Sequence, residues 1–258
     1  MHFQSHERAR RLSNLHVKGR PLVLYNAWDA GSAKAIAEAG APVIATSSWA
    51  VAAAQGFEDG ESLPFDLLEQ TVARIVAVVD LPVTVDVEGG YDADPSAGAQ
   101  NISRLVDLGV AGINFEDRIV PGSDLHDIKV QSTRIAAIRR MAEARGVQLF
   151  INARTDVFFY GSSTLSESLK QARERAHAYI DAGASGLFVP GLADLETIAD
   201  LCATIELPLN VMVAPGLPDH STLADAGVSR ISYGPGSYLS AMASLRTSAE
   251  QTKLNFLS

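Results

Sequence analysis

The sequence predicts an α/β protein, a (β/α)8 barrel, and three observations carry that prediction. Eight short β-branched or aromatic runs are separated by Ala-rich amphipathic stretches. One phrase recurs where helix gives way to strand: Glu38-Ala39-Gly40-Ala41, Asp107-Leu108-Gly109-Val110, Asp181-Ala182-Gly183-Ala184 and Asp225-Ala226-Gly227-Val228. Glycine ends a helix there because, without a Cβ, it enters the left-handed conformation freely. Finally, the 258 residues suit eight strand–helix units in one barrel. An open doubly wound sheet is the alternative architecture. No linker or low-complexity stretch divides the chain, so residues 1–258 read as one domain.

The strands follow in order. Leu22–Tyr25 opens the series, and Val43–Thr46 follows the Gly40 phrase. Val83–Val87 comes after Asp80-Leu81-Pro82, where proline cannot continue a helix. Gly112–Glu116 follows Gly109, and Gln148–Arg154 follows a looser copy, Arg145-Gly146-Val147. Gly186–Val189 follows Gly183, Leu209–Val213 follows Glu206-Leu207-Pro208, and Arg230–Tyr233 follows Gly227. Helical patterns lie between them. Two connections at strand C-terminal ends are long, Ser47 to Pro64 and Asp117 to about Val130. Such loops usually run about two to six residues, and long ones on this rim are commonly lids or binding loops. Pro121-Gly122-Ser123-Asp124 has turn chemistry and reads as a mobile tip.

Hydrophobic content of 47% and charged content of 20% fit a soluble protein with a sizeable core. A net charge of −9 argues against nucleic acid or an anionic membrane as partner. It also means that an anionic substrate needs local help from a metal or an arginine. Cys202 is the one cysteine, so an intramolecular disulfide is excluded and a reducing compartment expected. Its place in a helical stretch reads as core packing. Residues 1–20 are too polar for a signal peptide, and no apolar run reaches the roughly 20 residues of a membrane span. A cytoplasmic protein is expected.

Two acidic clusters are the main functional clue. Asp86-Val87-Glu88 closes the run from Leu81 to Val85, and Glu116-Asp117 closes the run from Ala111 to Phe115. Both therefore sit at C-terminal strand tips, where parallel α/β sheets bind ligands. Four carboxylates in one pocket repel unless protonated or joined by a cation. Mg²⁺ (or Mn²⁺) answers that need with oxygen ligands. As strand residues two apart, Asp86 and Glu88 point to the same side, roughly 7 Å apart. Asp59 approaches from the loop after the second strand. Solvated loop carboxylates are the plainer reading.

Arg154 ends the fifth strand, and its guanidinium matches a substrate carboxylate through two parallel hydrogen bonds. A structural ion pair with Asp156 or Glu116 is the alternative. Thr46-Ser47-Ser48 offers hydroxyls and amides for a carboxylate or enolate oxygen. His126 and His220 lie in rim loops and are candidate acid or base groups.

These residues resemble the isocitrate lyase/phosphoenolpyruvate mutase superfamily. The likeness runs from about Pro21 to Tyr160 and thins beyond. It rests on Tyr25-Asn26-Ala27-Trp28-Asp29-Ala30-Gly31-Ser32-Ala33, Thr46-Ser47-Ser48, Gln55-Gly56-Phe57-Glu58-Asp59, Asp86-Val87-Glu88-Gly89-Gly90-Tyr91, Gly112-Ile113-Asn114-Phe115-Glu116-Asp117 and Ala153-Arg154-Thr155-Asp156. The resemblance implies a Mg²⁺-dependent enzyme acting on a 2-oxo acid or its enolate. It implies Asp86 as the direct metal ligand, with Asp59, Glu88 and Glu116 holding the ion through water. It implies Arg154 and Ser47 on substrate oxygens, and a homo-oligomer, tetramer or dimer, that exchanges its last helix. The expected substrate-binding set is Tyr25, Thr46, Ser47, Ser48 and Arg154; the expected catalytic set is Arg154, Ser47, Asp59 and His126.

Departures narrow the reaction. The family's lyases carry Lys-Lys-Cys-Gly-His after the fourth strand, and the mutase and phosphonopyruvate hydrolase carry a Lys-x-Asn-Ser gate. Here the segment is Arg118-Ile119-Val120-Pro121-Gly122-Ser123-Asp124-Leu125-His126, and Asp92 replaces a usual glycine after Tyr91. Retro-aldol cleavage needs a protein base, whereas decarboxylating an oxaloacetate-like acid through a metal-bound enolate does not. The expected function is Mg²⁺-dependent carbon–carbon cleavage of a small 2-oxo (di)carboxylic acid, decarboxylation first. The alternatives are a lyase or hydrolase with His126 or His220 as base, a 2-oxo acid binding protein without turnover, and an acyl-CoA enzyme. The last would need a Lys/Arg cluster on the rim, and none is found.

Overall fold

The computed structural model of the chain describes residues 2–161 and 164–255. Eight parallel strands form one sheet: β1 (Leu22–Leu24), β2 (Ile44–Ala45), β3 (Val83–Asp86), β4 (Gly112–Glu116), β5 (Phe150–Arg154), β6 (Gly186–Phe188), β7 (Leu209–Met212) and β8 (Arg230–Ser232). Their order is β1-β8-β7-β6-β5-β4-β3-β2. A parallel bridge, Ala27 with Thr46, closes the remaining gap between β1 and β2. There the Ala27 N–H donates to the Ala45 carbonyl (2.7 Å), and the Ser47 N–H donates to the Ala27 carbonyl (3.3 Å). The expected (β/α)8 barrel is present, and the open sheet is excluded.

The helices are α1 (His2–Asn14), α2 (Ala30–Glu38), α3 (Ser48–Ala54), α4 (Phe65–Val78), α5 (Pro95–Asp107), α6 (Ile128–Ala144), α7 (Val157–Tyr160), α8 (Leu165–Asp181), α9 (Leu195–Thr204), α10 (His220–Asp225) and α11 (Gly236–Asn255). Local chemistry sets their ends. Asp29 and Ser32 form a reciprocal capping box on α2. Asp94 caps α5, with Pro95 at the first helical position. Glycines of the repeated phrase take the left-handed turn as expected, φ being 100° at Gly109 and 94° at Gly227. Cys202 is buried in α9, within the core between helices and sheet.

The barrel interior is polar near its centre. Asn152 Nδ2 donates to Asn114 Oδ1 (2.9 Å) and Asn210 Oδ1 (3.0 Å), and Arg230 Nη2 donates to Asn114 Oδ1 (3.1 Å). Arg230 is fully buried, and burial pulls its guanidinium down to about 9. The His16 ring stacks on Phe150 with centroids 4.0 Å apart. Phe150 is 2% exposed; burying such a ring contributes roughly 2–3 kcal/mol.

Two connections differ from expectation in ways that matter for the site. The strand carrying Asp86 ends there, because Glu88 turns into the left-handed region with φ 48°. The expected strand alternation placing Asp86 and Glu88 side by side therefore does not apply. The segment after Asp117 folds back as a hairpin: Arg118 bridges Leu125, Ile119 N–H donates to the Asp124 carbonyl (2.8 Å), and His126 N–H donates to the Asp117 carbonyl (2.8 Å).

Candidate active site

A cavity of about 170 Å³ opens at the C-terminal end of the barrel. Ser47, Ser48, Asp59, Asp86, Arg118 and Arg154 line its polar side. They arrive from the tips of β2, β3, β4 and β5 and from the loop after β2. Ser47 caps α3, its Oγ accepting the Ala50 N–H (3.4 Å). That places Ser48 at the helix start, where its N–H (3.2 Å) and Oγ (3.0 Å) both donate to Asp86 Oδ2. Thr46 Oγ1 accepts the Asp86 N–H (2.9 Å). The other carboxylate oxygen, Asp86 Oδ1, is buried with no hydrogen-bond partner.

The remaining acids surround this oxygen at different depths. Asp59 Oδ1 lies 3.4 Å from Ser48 Oγ, whose one proton goes to the nearer Asp86 Oδ2. Burial, then Asp86, push the Asp59 carboxyl above the usual range. Glu88 Oε2 accepts the N–H groups of Gly60 (2.8 Å) and Glu61 (2.9 Å), which ties the loop after β2 to the tip of β3. Its carboxyl is pushed up to about 8 by burial, followed by Asp59, Glu116 and Asp86. Burial also pushes Glu116 up, with Arg154 opposing. Burial is the largest cause for all three acids and repulsion among them adds to it, a load that positive charge relieves.

Two arginines supply part of that charge. Arg118 Nε donates to Glu116 Oε1 (2.9 Å), and its Nη2 lies 3.7 Å from Glu88 and 3.9 Å from Asp59. Arg154 forks onto Asp156 through Nε (2.6 Å) and Nη2 (2.8 Å). Its Nη1 sits 2.8 Å from Glu116 Oε2, close enough for an ion pair but not aligned as a hydrogen bond. The structural ion pairs weighed for Arg154 are thus both present, and the residue also lines the cavity.

Strain concentrates beside this cluster. Glu61 (φ 55°), Glu88 (φ 48°) and Tyr91 (φ 62°) are the described non-glycine residues with positive φ. They are joined to one another: the Glu61 N–H reaches the Glu88 carboxylate, and the Tyr91 N–H reaches Glu61 Oε1 (2.8 Å). Each such residue costs about 1–3 kcal/mol, so surrounding bonds must hold the geometry around Glu88.

The structure brings together Ser47, Ser48, Asp59, Asp86, Glu88, Glu116 and Arg154. It does not bring Asp117 to the same place. Strand alternation that turns Glu116 inward turns Asp117 outward, where Arg175 Nη1 (3.0 Å) and Tyr179 Oη (2.8 Å) donate to it. Thr46 is buried and shapes the Asp86 backbone without lining the cavity. Tyr25 is 44% exposed, edge-on to Tyr233 and off the cavity wall. His126 lines a smaller cavity on the far side of Arg118, with Glu61, Asp92 and Arg134. His220 packs edge-on to Tyr233 at 6.0 Å, also outside the main cavity.

Among the described residues, no group of three His, Cys, Asp or Glu side chains is set to ligate a metal directly. The donors present are nevertheless all oxygens, the set a hard cation takes. Asp86 Oδ1 has no hydrogen-bond partner, and Arg118 stands among Glu116, Glu88 and Asp59.

A family model described as phosphoenolpyruvate phosphomutase matches residues 12–253. The chain belongs to this family. With it comes the isocitrate lyase/phosphoenolpyruvate mutase superfamily, whose lyases and mutases act on small carboxylic acids and commonly use divalent metal ions. The chain is 35% identical over 225 residues to an uncharacterized protein of Mycobacterium tuberculosis, covering 87% of this chain and 82% of that one. It is 30% identical over 187 residues to an oxaloacetate decarboxylase of Pseudomonas fluorescens, covering 69% of this chain and 60% of the relative. A solved structure from Burkholderia cenocepacia, provisionally named a phosphonomutase, superposes with a TM-score of 0.93 at 44% identity. That match covers 96% of this chain and 99% of the other.

Within this phosphomutase-family site, the residue that sequence reading passed over is Arg118. It appeared only as part of a loop lacking a cysteine. Glu116 is two residues away, but Asp59 and Glu88 lie in distant parts of the sequence, so no local pattern reveals the cluster. The apolar half of the cavity was missed as well. Trp49, Phe159, Tyr160, Phe188, Met212 and Pro235 form it, and each looks like ordinary core or surface in sequence.

Proposed function

We propose that this chain is a Mg²⁺-dependent carbon–carbon lyase that decarboxylates a small, oxaloacetate-like 2-oxo acid. The observation that carries the reading is the buried, unpartnered Asp86 Oδ1 beside a cavity that also presents Arg118 and Arg154. Asp86 would hold the ion directly, and Asp59, Glu88 and Glu116 would hold it through water. When bound, Mg²⁺ supplies Lewis acidity at the 2-oxo oxygen.

The chain's own residues account for the rest. Ser48 fixes Asp86 Oδ2 through two donors and so aims Oδ1. A guanidinium has five N–H donors; Asp156 takes one each from Nε and Nη2 of Arg154, leaving others for the substrate's C1 carboxylate. Ser47 Oγ accepts the Ala50 N–H and so keeps its own hydroxyl proton to donate to an enolate oxygen. Asp59 lines the cavity, and a water held by its carboxylate is placed to return a proton to C3. The leaving carboxylate departs as neutral CO₂, so it needs neither a cation nor a protein base. The positions of His126 and His220 outside the cavity speak against the rim-histidine alternative.

The test is a coupled assay for pyruvate and CO₂ from oxaloacetate with Mg²⁺. Turnover that disappears in Asp86→Ala supports the proposal, and the absence of turnover with either Mg²⁺ or Mn²⁺ refutes it. Metal-dependent oxalate binding without product from any 2-oxo acid would instead identify a binding protein. The same reading expects a homo-oligomer, tetramer or dimer. Leu239 and Leu245, exposed on α11, are consistent with helix exchange, and light scattering would measure the mass.

A further inference from the structure

The cavity is divided along the strand order. Its charged groups come from β2 to β5 and their loops: Ser48, Asp59, Asp86, Arg118 and Arg154. Across the ring, β6 ends in Phe188, β7 ends in Met212, and Pro235 follows β8. Phe159 and Tyr160 on α7 complete that arc, and Trp49 borders it from α3. No charged side chain from this arc lines the cavity among the described residues.

Two of its polar side chains, Asn26 and Ser232, are already held by hydrogen bonds. Asn26 Nδ2 donates to the Thr46 carbonyl (2.7 Å), and Asn26 Oδ1 accepts the N–H groups of Tyr233 (3.1 Å) and Gly234 (3.0 Å). Ser232 Oγ is bound to Asn210 (3.1 Å). Gly234 lets the Met212 side chain lie close against the backbone: a Cβ there would stand 2.7 Å from Met212 Sδ. Phe188 also faces the charged arc, with the Arg154 guanidinium 5.9 Å from its ring centroid.

An unsubstituted oxaloacetate would leave this wall uncovered, since its C3 is a bare methylene. We infer that the apolar arc is a side-chain pocket, and that the preferred substrate carries an alkyl or aryl group on C3. This rests on the decarboxylase reading and refines it. The C3–C4 bond breaks and C4 leaves as CO₂. Its electron pair forms the enolate, and C3 then takes one proton. The products are 2-oxo monocarboxylic acids with apolar tails. Each methylene buried in such a pocket strengthens binding roughly fourfold.

Calorimetric titration of the Mg²⁺-loaded protein with four acids tests the inference: pyruvate, 4-methyl-2-oxopentanoate, phenylpyruvate and 2-oxoglutarate. The expected result is that the two tailed acids bind at least about tenfold more tightly than pyruvate, while 2-oxoglutarate, whose distal carboxylate finds no cation in the apolar arc, gains nothing. Met212→Arg should reverse the order of 4-methyl-2-oxopentanoate and 2-oxoglutarate. Tyr160→Lys, on the exposed rim, should shift it the same way if Met212→Arg does not fold. Equal affinities, or tightest binding of 2-oxoglutarate by the unmodified protein, overturn the side-chain pocket and leave the decarboxylase reading standing. If none of the four binds with Mg²⁺ present, that reading falls and the pocket with it.

Discussion

Ser48 places two donors on a single oxygen of Asp86, at 3.2 and 3.0 Å, and leaves the other oxygen buried without a partner. On the proposed function, this asymmetry leaves Oδ1 as the oxygen that would meet the metal. Ser48→Ala removes the hydroxyl contact but keeps the backbone one. Supporting contacts of this kind are worth about 10–100-fold in metal affinity. Mg²⁺ titration of the variant should show a loss in that range with little change in stability. Unaltered affinity would detach Ser48 from the metal.

Arg118 is the shared counter-charge of Glu116, Glu88 and Asp59. Replacing it with methionine keeps much of the volume and removes the charge. Glu116 retains Arg154, so the loss should fall near the lower end of the cost of breaking a buried pair, about 3 kcal/mol. Urea unfolding without metal would read it. Added Mg²⁺ should recover part of that stability, because a bound cation replaces the missing charge.

His126 faces a different cavity from the charged cluster. His126→Ala should therefore change kcat by less than about threefold, well short of the 100-fold or more expected for removing an acid–base catalyst. A large fall would reinstate the histidine-dependent lyase or hydrolase.

His16 sets an acid limit at the opposite end of the barrel. Burial, then Arg230, pull its imidazole down to about 3. The unfolded chain takes up this proton near pH 6.5 and the folded chain does not. Its stabilising effect is therefore complete above pH 6.5 and is lost as pH falls toward 3, by about 3 kcal/mol at pH 4. Urea midpoints measured at pH 7 and pH 4 should drop less in His16→Gln than in the parent chain. An identical drop would show that His16 does not drive the acid response.

The barrel was legible because its punctuation is local. A glycine or proline at each helix-to-strand passage, followed by β-branched residues, needs no tertiary information, and all eight strands fall inside or on the expected runs. Asp86, Glu116 and Arg154 were legible because each closes such a run. Other features depend on geometry beyond the strand. Glu88 leaves the alternating pattern through a positive φ, and His126 is turned aside by the hairpin that pairs Arg118 with Leu125. Tyr25 was expected at the substrate because its motif resembles the family's, yet its ring settles against Tyr233. Arg118 and the apolar arc emerge only when separate segments meet.

The seam of the barrel has a dynamic consequence. Ala27 and Thr46 provide the bridge between β1 and β2, flanked by the Ala27 and Ser47 amide bonds, whereas β4 and β5 pair over five residue positions. Opening this join breaks few bonds, so the ring should breathe there first. Ser47 belongs both to the join and to the cavity wall. Amide exchange at Ala27 and Ser47 is therefore a direct gauge of occupancy, slowing when a ligand closes the ring from within.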